Sequence, residues 1–278
     1  MLISSEELHA HLHDRDWIVF DCRHDLFAEE KGAQLYRDGH IPGAYFAPVD
    51  TALAGGKTGQ NGRHPLPKPE QFAEFLAGKG VNASTQIVAY DDVGGQYAAR
   101  LWWMARWIGL TKVGVLDGGL PKWVANGYEL SKEVPQPRSG GSIEVRVDPA
   151  LLVTAEDVVR GMNTEKLLVV DARAPERFRG ETEPIDPVAG HIPMAQNRFF
   201  KSNLNPDLTL RSKSELKKEF EALLAGHKPS EVVHQCGSGI TACANLLAME
   251  YAGLTGSKLY PGSWSEWIAD PARPVARG

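Results

Sequence analysis

The residues that could do chemistry stand together in the stretch CGSGIT, positions 236–241. A cysteine acts as a nucleophile only as its thiolate, so a reactive cysteine needs surroundings that stabilise negative charge on sulfur. Gly237 and Gly239 permit backbone angles that other residues avoid, and successive amides there can point at the sulfur as an anion-binding nest. The stretch predicts a thiolate nucleophile at Cys236, against the simpler interpretation of a buried cysteine as a small apolar filler.

The segments on either side indicate how this loop is held. EVVHQC at 231–236 is typical of a buried parallel strand, and ACANLLAMEYAGL at 242–254 of a helix. Thr241 stands where that helix begins, and the amino end of a helix adds partial positive charge at the same point. Ligands of parallel α/β sheets gather at the carboxyl ends of the strands, and Cys236 lies at such an end.

The chain contains an internal repeat. The matching segments are LISSEEL at 2–8 and LVTAEDV at 152–158, VFDCR at 19–23 and VVDAR at 169–173, and GHIPGA at 39–44 and GHIPMA at 190–195. The offset is 150 or 151 residues in these pairs and 144 further on, so the first copy carries seven extra residues. They fall in the Gly-rich stretch TALAGGKTGQNGRHPLP at 51–67.

Each copy alternates apolar strand patterns with helical ones. This alternation predicts an α/β protein of two tandem domains, each with a parallel sheet covered by helices on both faces. We place the domains at 1–130 and 143–278, with a linker at 131–142 that is rich in Pro, Gly and Ser.

The repeat separates scaffold from chemistry, because a residue that holds the fold should occur in both copies and a single active site needs its residue once. Residues present in both copies, and predicted to be structural, include Asp21 and Asp171, Arg23 and Arg173, and His40 and His191. Cys236 instead corresponds to Asp92, so the first copy cannot do thiol chemistry at that loop. Cys22 and Cys243 correspond to alanines and are predicted to be packing residues.

The composition excludes several classes of function. The formal charge of −5 leaves no surplus of positive charge for nucleic acid or an anionic membrane. No apolar run approaches the roughly 18 residues of a membrane span, and MLISSEEL lacks the features of a signal peptide, so a cytoplasmic protein is expected. Three cysteines without paired spacing favour reduced thiols, and no motif calls for a nucleotide cofactor or a metal.

The duplicated α/β domains, the paired GHIP segments, the aspartate of the first copy and the loop CGSGITA resemble the rhodanese superfamily of sulfurtransferases over essentially the whole chain. The loop is similar to that of the 3-mercaptopyruvate sulfurtransferases, in which a cysteine is followed by Gly, Ser, Gly, an aliphatic residue and Thr. Thiosulfate sulfurtransferases typically carry basic residues directly after the cysteine, where this chain has Gly237 and Ser238. The resemblance favours a thiol donor with a single carboxylate.

The resemblance also implies a reaction and roles for its residues. Cys236 would take sulfur from 3-mercaptopyruvate as a persulfide, release pyruvate, and pass the sulfur to cyanide or to a thiol such as glutathione or thioredoxin. Ser238, His64 and Asp50 would move the protons, and Arg177 would bind the substrate carboxylate. The loop residues predicted to contact the substrate are Gly237, Gly239, Ile240 and Thr241.

One departure from the family pattern bears on the donor. Enzymes of the mercaptopyruvate type have a second arginine between the counterpart of Arg177 and GHIP, whereas GETEPIDPVAGHIP offers Asp186 near that position. The residues leave open whether Arg198 or a backbone donor takes its place, and thiosulfate remains a candidate donor.

Two further classes of protein are alternatives. A sulfur-carrying or regulatory binding module would hold a persulfide without turnover. Phosphatases of a related fold have a longer cysteine loop that ends in an arginine, but Ala242 stands six positions after Cys236, which argues against phosphoryl chemistry.

Overall fold

The computed structural model describes residues 1–28, 30–164 and 166–278, apart from the side chain of Asn163. The chain forms two compact units. Unit 1 contains residues 1–55, 67–148 and 204–210, and unit 2 contains residues 56–66, 149–203 and 211–278. The domain limits read from the repeat stay a prediction, and the segment 56–66, which lies in the stretch with the extra residues, folds as part of unit 2.

Unit 1 is built on a five-stranded parallel sheet. Its strands are β1 (Leu2–Ile3), β2 (Trp17–Asp21), β3 (Tyr45–Phe46), β4 (Gln86–Tyr90) and β5 (Val113–Leu116), in the order β1-β5-β4-β2-β3. Its helices are α1 (Ser5–Ala10), α2 (Lys31–Asp38), α3 (Val49–Ala52), α4 (Pro69–Ala77), α5 (Ala98–Trp107) and α6 (Gly119–Ala125). Four consecutive residues of β4 are buried, and because successive side chains point to opposite faces, both faces of the sheet are covered.

Unit 2 repeats this plan. Its strands are β6 (Leu168–Asp171), β7 (Gln196–Asn197), β8 (Val232–Gln235) and β9 (Lys258–Leu259), all parallel, in the order β7-β6-β8-β9. Its helices are α7 (Ala155–Thr164), α8 (Pro175–Phe178), α9 (Lys213–Leu224), α10 (Ala242–Tyr251) and α11 (Ser263–Trp267), with short 3-10 helices at Pro149–Leu151, Phe200–Asn203 and Pro229–Glu231. Every residue of β6 and β8 is buried, so this sheet is also covered on both faces. The predicted fold is confirmed.

A buried ion pair recurs in the two units. Arg23 Nη2 donates to Asp21 Oδ2 at 2.6 Å, and Arg173 Nη2 donates to Asp171 Oδ2 at 2.7 Å. Each arginine also donates to the carbonyl of the glycine that opens GHIP, at 2.7 Å. Buried charges are tolerated when they are paired and hydrogen-bonded, so these contacts agree with the scaffold role predicted from the repeat.

The two GHIP histidines also make matching contacts. His40 Nδ1 lies 2.8 Å from the carbonyl of Tyr36, and the two rings stack with centroids 4.0 Å apart. In the same way, His191 Nδ1 lies 2.8 Å from the carbonyl of Phe178, and the centroids of the two rings are 3.9 Å apart. These rings fix the chain after α2 and α8, which agrees with the structural role predicted for them. Among the helices of the described residues, none combines the length and the apolar character needed to cross a bilayer.

Candidate active site

The Cys236 loop joins the end of β8 to the start of α10. Cys236 is 2% exposed, and its backbone is held on both sides. Its N–H donates to Ser263 Oγ at 3.1 Å, and its carbonyl accepts from the Trp264 N–H at 3.0 Å. The Ser265 N–H donates to the next carbonyl, that of Gly237, at 3.0 Å. Helix α11 therefore fixes the position of the sulfur.

The amide of Gly239 points at the sulfur. Its N–H donates to Cys236 Sγ at 3.1 Å, the geometry of an amide that stabilises negative charge on sulfur. Gly239 has a φ of 79°, and a Cβ there would lie 2.3 Å from the carbonyl oxygen of Pro261. Glycine is therefore required at this position both for the backbone angle and for the close approach.

The corresponding loop of unit 1 holds a carboxylate. The carboxylate of Asp91 accepts four backbone N–H groups at 2.8 to 3.1 Å, those of Val93, Gly95, Tyr97 and Ala98. Gly95 is the counterpart of Gly239, so the same amide serves a carboxylate in one copy and Cys236 in the other. The repeat aligns Cys236 with Asp92, but the side chain that takes the amides in unit 1 is that of the preceding residue.

His64 and Ser238 form a hydrogen-bonded pair within unit 2. His64 Nδ1 lies 2.7 Å from Ser238 Oγ, and the two residues are 4% and 6% exposed. The segment that carries His64 is held at Arg63, whose N–H donates to Ser265 Oγ at 3.0 Å. A buried imidazole bonded to a hydroxyl two residues from Cys236 can pass a proton to or from a ligand at the loop.

Asp50 belongs to unit 1, where it lies in α3. Its Oδ2 is 3.7 Å from His24 Nδ1, and its side chain is partly exposed. The catalytic role given to Asp50 by the family resemblance stays a prediction.

The remaining loop residues predicted to contact substrate, Ile240 and Thr241, directly precede α10. Ile240 is buried, and its carbonyl accepts the N–H of Cys243 at 3.0 Å. Thr241 is the residue before α10 and accepts the N–H of Ala244 at 3.1 Å. The helix therefore begins where the sequence predicts, while the contacts of these residues with a substrate stay predictions.

Two arginines lie over Gly237. A Cβ at Gly237 would be 2.7 Å from Arg63 Nη2 and 3.7 Å from both Nη atoms of Arg177. Arg177 donates through Nε and Nη2 to Glu183 Oε1, at 3.1 and 2.7 Å, and through Nη2 to Asp186 Oδ2 at 3.2 Å. Arg63 Nη1 donates to the other oxygen of Asp186. Two guanidinium groups, both paired with carboxylates, therefore lie beside the residue that follows the cysteine.

The acid between these arginines is buried. Burial raises the pKa of Asp186, and the neighbouring Arg63 and Arg177 act in the opposite direction. Arg198, considered from the sequence as a substitute for the missing arginine, is engaged elsewhere, because its Nη1 lies 2.8 Å from Glu219 Oε2. Arg63 was missed by the sequence reasoning, and its position next to His64 was the one signal that could have indicated it.

The other two thiols are placed as packing residues. Cys22 is fully buried, and burial together with nearby Asp21 and Asp91 raises the pKa of its thiol well above the ordinary value. Cys243 is also fully buried, and its Sγ donates to the carbonyl of Gly239 at 3.4 Å.

The rhodanese-like domain family matches this chain twice, at residues 4–126 and 154–270. The chain belongs to the rhodanese family. A protein of Pseudomonas aeruginosa named "Probable 3-mercaptopyruvate sulfurtransferase" is 44% identical over 279 residues, which cover 100% of this chain and 98% of the relative. "Thiosulfate/3-mercaptopyruvate sulfurtransferase 2" of Arabidopsis thaliana is 34% identical over 297 residues, which cover 99% of this chain and 86% of the relative.

A solved structure of the same kind agrees with these relatives. The crystal structure of SseA from Escherichia coli, described as a 3-mercaptopyruvate sulfotransferase, matches this rhodanese with a TM-score of 0.82 and 31% identity. The match covers 95% of this chain and 98% of SseA. The predicted family is confirmed, and the names of the relatives bear out the prediction of a sulfurtransferase.

Proposed function

We propose that this rhodanese transfers sulfur from 3-mercaptopyruvate to a thiol or to cyanide through a persulfide on Cys236, with release of pyruvate. The observation that carries the proposal is the arrangement at Cys236. The sulfur accepts the Gly239 amide at 3.1 Å, and the Ser238 hydroxyl of the same loop is bonded to His64 at 2.7 Å. An anionic nucleophile beside a proton-transferring pair suits a thiol donor, and two of the relatives are named for that donor alone.

The first half of the reaction moves one sulfur atom to the enzyme. The Cys236 thiolate attacks the donor sulfur, an S–S bond forms, the C–S bond breaks, and its electron pair leaves on the enolate of pyruvate. The donor thiol loses a proton and C3 of the enolate gains one, so the products are a persulfide anion and pyruvate. Sulfur is oxidised and carbon is reduced in the same step, so the reaction needs no outside oxidant.

The Ser238 and His64 pair has the properties that these proton movements need. Both side chains are buried, so bulk water competes little for the proton that they exchange with the ligand. The persulfide anion then remains at the Gly239 amide until an acceptor attacks its outer sulfur. An incoming thiolate or cyanide forms the new bond to sulfur, and the Cys236 thiolate leaves.

Only the chemical class of the sulfur acceptor follows from the proposed reaction. A sulfurtransferase needs a nucleophilic acceptor, and glutathione, thioredoxin and cyanide are the candidates we propose. A cytoplasmic site of action stays a prediction.

Thiosulfate is the second candidate donor. It is favoured by the guanidinium groups of Arg63 and Arg177 over Gly237, whose N–H groups can donate to its oxygens, while Glu183 and Asp186 balance the charge of the two arginines. The name of the Arabidopsis relative includes both donors.

Intact-mass measurement tests the proposal. The protein is mixed with 3-mercaptopyruvate or with thiosulfate, and pyruvate and sulfite are measured in parallel. We expect the protein to gain one sulfur atom with release of pyruvate, no gain in Cys236→Ser, and a normal gain in the matched control Cys243→Ser.

The other outcomes separate the alternatives. Sulfite release without pyruvate release would assign thiosulfate as the donor. A persulfide that no acceptor discharges would indicate a sulfur-carrying module. A protein that gains no sulfur from either donor would refute sulfur transfer through Cys236.

A further inference from the structure

The edge of the Arg63 guanidinium group formed by Nε and Nη2 binds no carboxylate among the described residues. Its Nη1 is bonded to Asp186, its Nη2 lies against Gly237, and its buried Nε has no hydrogen-bond acceptor among the described residues. A buried N–H without an acceptor is costly, so a group that accepts from Nε would stabilise the site.

The same edge holds a carboxylate in other arginines that the structure describes, and three of these arginines are buried or largely buried. Arg23, Arg173 and Arg177 each use Nε and Nη2 to hold one carboxylate, with the shorter of the bonds at 2.6 to 2.7 Å. This is the fork geometry in which a guanidinium binds a carboxylate through two parallel hydrogen bonds. The Nε and Nη2 of Arg63 form the corresponding edge, beside the loop that carries the reactive sulfur.

Asp186 holds Arg63 in this orientation. Its side chain is 4% exposed and its two oxygens bind Arg63 and Arg177, one each. Asp186 stands near the position where enzymes of the mercaptopyruvate type carry their second arginine. The guanidinium group absent from that position is instead supplied by Arg63, which is hydrogen-bonded to Asp186, the residue near that position.

We infer that Arg63 binds the carboxylate of the 2-oxo acid donor through Nε and Nη2, and that Asp186 is the positioning residue that holds its Nη1. Gly237 contributes by its lack of a side chain, because a Cβ there would lie 2.7 Å from Arg63 Nη2 and the guanidinium group would have to move. The inference rests on the proposed function and adds a residue that determines specificity for small monocarboxylate donors.

Steady-state kinetics with 3-mercaptopyruvate test the inference. In Arg63→Gln we expect KM to rise about 10- to 100-fold, as the loss of a charge-assisted pair of bonds predicts, while kcat changes much less. Arg63→Lys should recover part of the affinity, because it restores the charge without the fork. Asp186→Asn should raise KM by a smaller factor, and Arg179→Gln, which changes an exposed arginine of the same unit, should leave both constants unchanged.

Direct binding makes the test independent of turnover. Calorimetry measures the affinity of Cys236→Ser for 3-mercaptopyruvate, with and without Arg63→Gln, and thermal unfolding checks that the variants are folded. A folded Arg63→Gln variant that binds as well as its parent would overturn the inference. So would a rise in KM in Arg198→Gln without one in Arg63→Gln. Failure of the proposed function itself would appear in the wild-type protein, as absence of pyruvate release.

Discussion

The substitution Ser238→Ala tests the proton-transferring pair. It removes the hydroxyl that lies 2.7 Å from His64 Nδ1 and leaves the loop backbone and the Gly239 amide in place. The contact of the Gly239 amide with Cys236 Sγ is therefore unchanged, and the proposed route for protons is broken.

The size of the effect depends on the donor. General acid–base groups contribute about 10² to 10⁴ to a rate, so kcat on 3-mercaptopyruvate should fall at least about 100-fold. With thiosulfate the sulfite leaves with its electron pair and no enolate has to be protonated, so the loss there should stay below about tenfold. The buried His64 also loses its hydrogen bond to the Ser238 hydroxyl, at a cost of about 1 to 3 kcal/mol in the free energy of unfolding.

The assay compares pyruvate and sulfite release under identical conditions, with cyanide as the acceptor. Ser257→Ala is the matched control, since Ser257 is a buried serine of the same unit whose hydroxyl has no partner among the described residues. This control should retain wild-type rates with both donors. Chemical denaturation shows whether Ser238→Ala remains folded at the assay temperature.

Equal losses on the two donors would refute the reasoning. They would mean that Ser238 supports the loop and does not move a proton specific to the thiol donor. An unchanged kcat on 3-mercaptopyruvate in a folded variant would refute it equally, because the hydrogen bond to His64 would then be a structural contact.

Three further predictions follow from single contacts. Gly239→Ala should slow persulfide formation by a factor of about 10² to 10³, because a Cβ would lie 2.3 Å from the Pro261 carbonyl oxygen and move the amide away from the sulfur. Rapid-quench mass measurement gives this rate, and an unchanged rate would contradict the prediction. Cys243→Ser should form the persulfide at the wild-type rate, since its hydroxyl can still donate to the Gly239 carbonyl; a large loss in the same measurement would give Cys243 a role in transfer. Burial lowers the pKa of His234 from 6.5 to about 3, so the unfolded chain binds a proton that the folded chain does not, and the folded state loses about 2 kcal/mol between pH 7 and pH 5. His234→Leu should remove that part of the loss, as urea unfolding at the two pH values would show, whereas an identical loss in the variant would mean that His234 is not its source.

The fold was predictable because its signals are local and duplicated. The apolar run of β8 and its counterpart β4 have the continuous burial of parallel strands, and two matching series of elements left little choice of architecture. The limits of the compact units were harder to predict. The segment 56–66 has no periodic pattern, and its membership of unit 2 depends on contacts such as that of Arg63 with Ser265.

The sequence predicted the Cys236 loop of the candidate site well, but it predicted the residues that other segments bring to the loop much less well. The glycines after Cys236 indicate an inward-facing amide from their own conformational freedom, and Gly239 provides it. The partnership of His64 with Ser238 joins residues far apart in the chain, and it came from the family resemblance. Arg63 escaped notice because its link to Asp186 depends on two segments meeting, which neither composition nor spacing records.

The two copies of the loop suggest how a nucleophile can arise on this scaffold. In unit 1 the amides after β4 are taken by the carboxylate of Asp91. The counterpart of Asp91 in unit 2 is Gln235, a buried neutral amide whose side-chain atoms have no hydrogen-bond partner in the described structure. A carboxylate at position 235 would compete for the Gly239 amide and place a second negative charge beside the sulfur, which disfavours the thiolate. The chemistry proposed for unit 2 therefore depends on two differences from unit 1, the cysteine itself and the absence of a carboxylate directly before it.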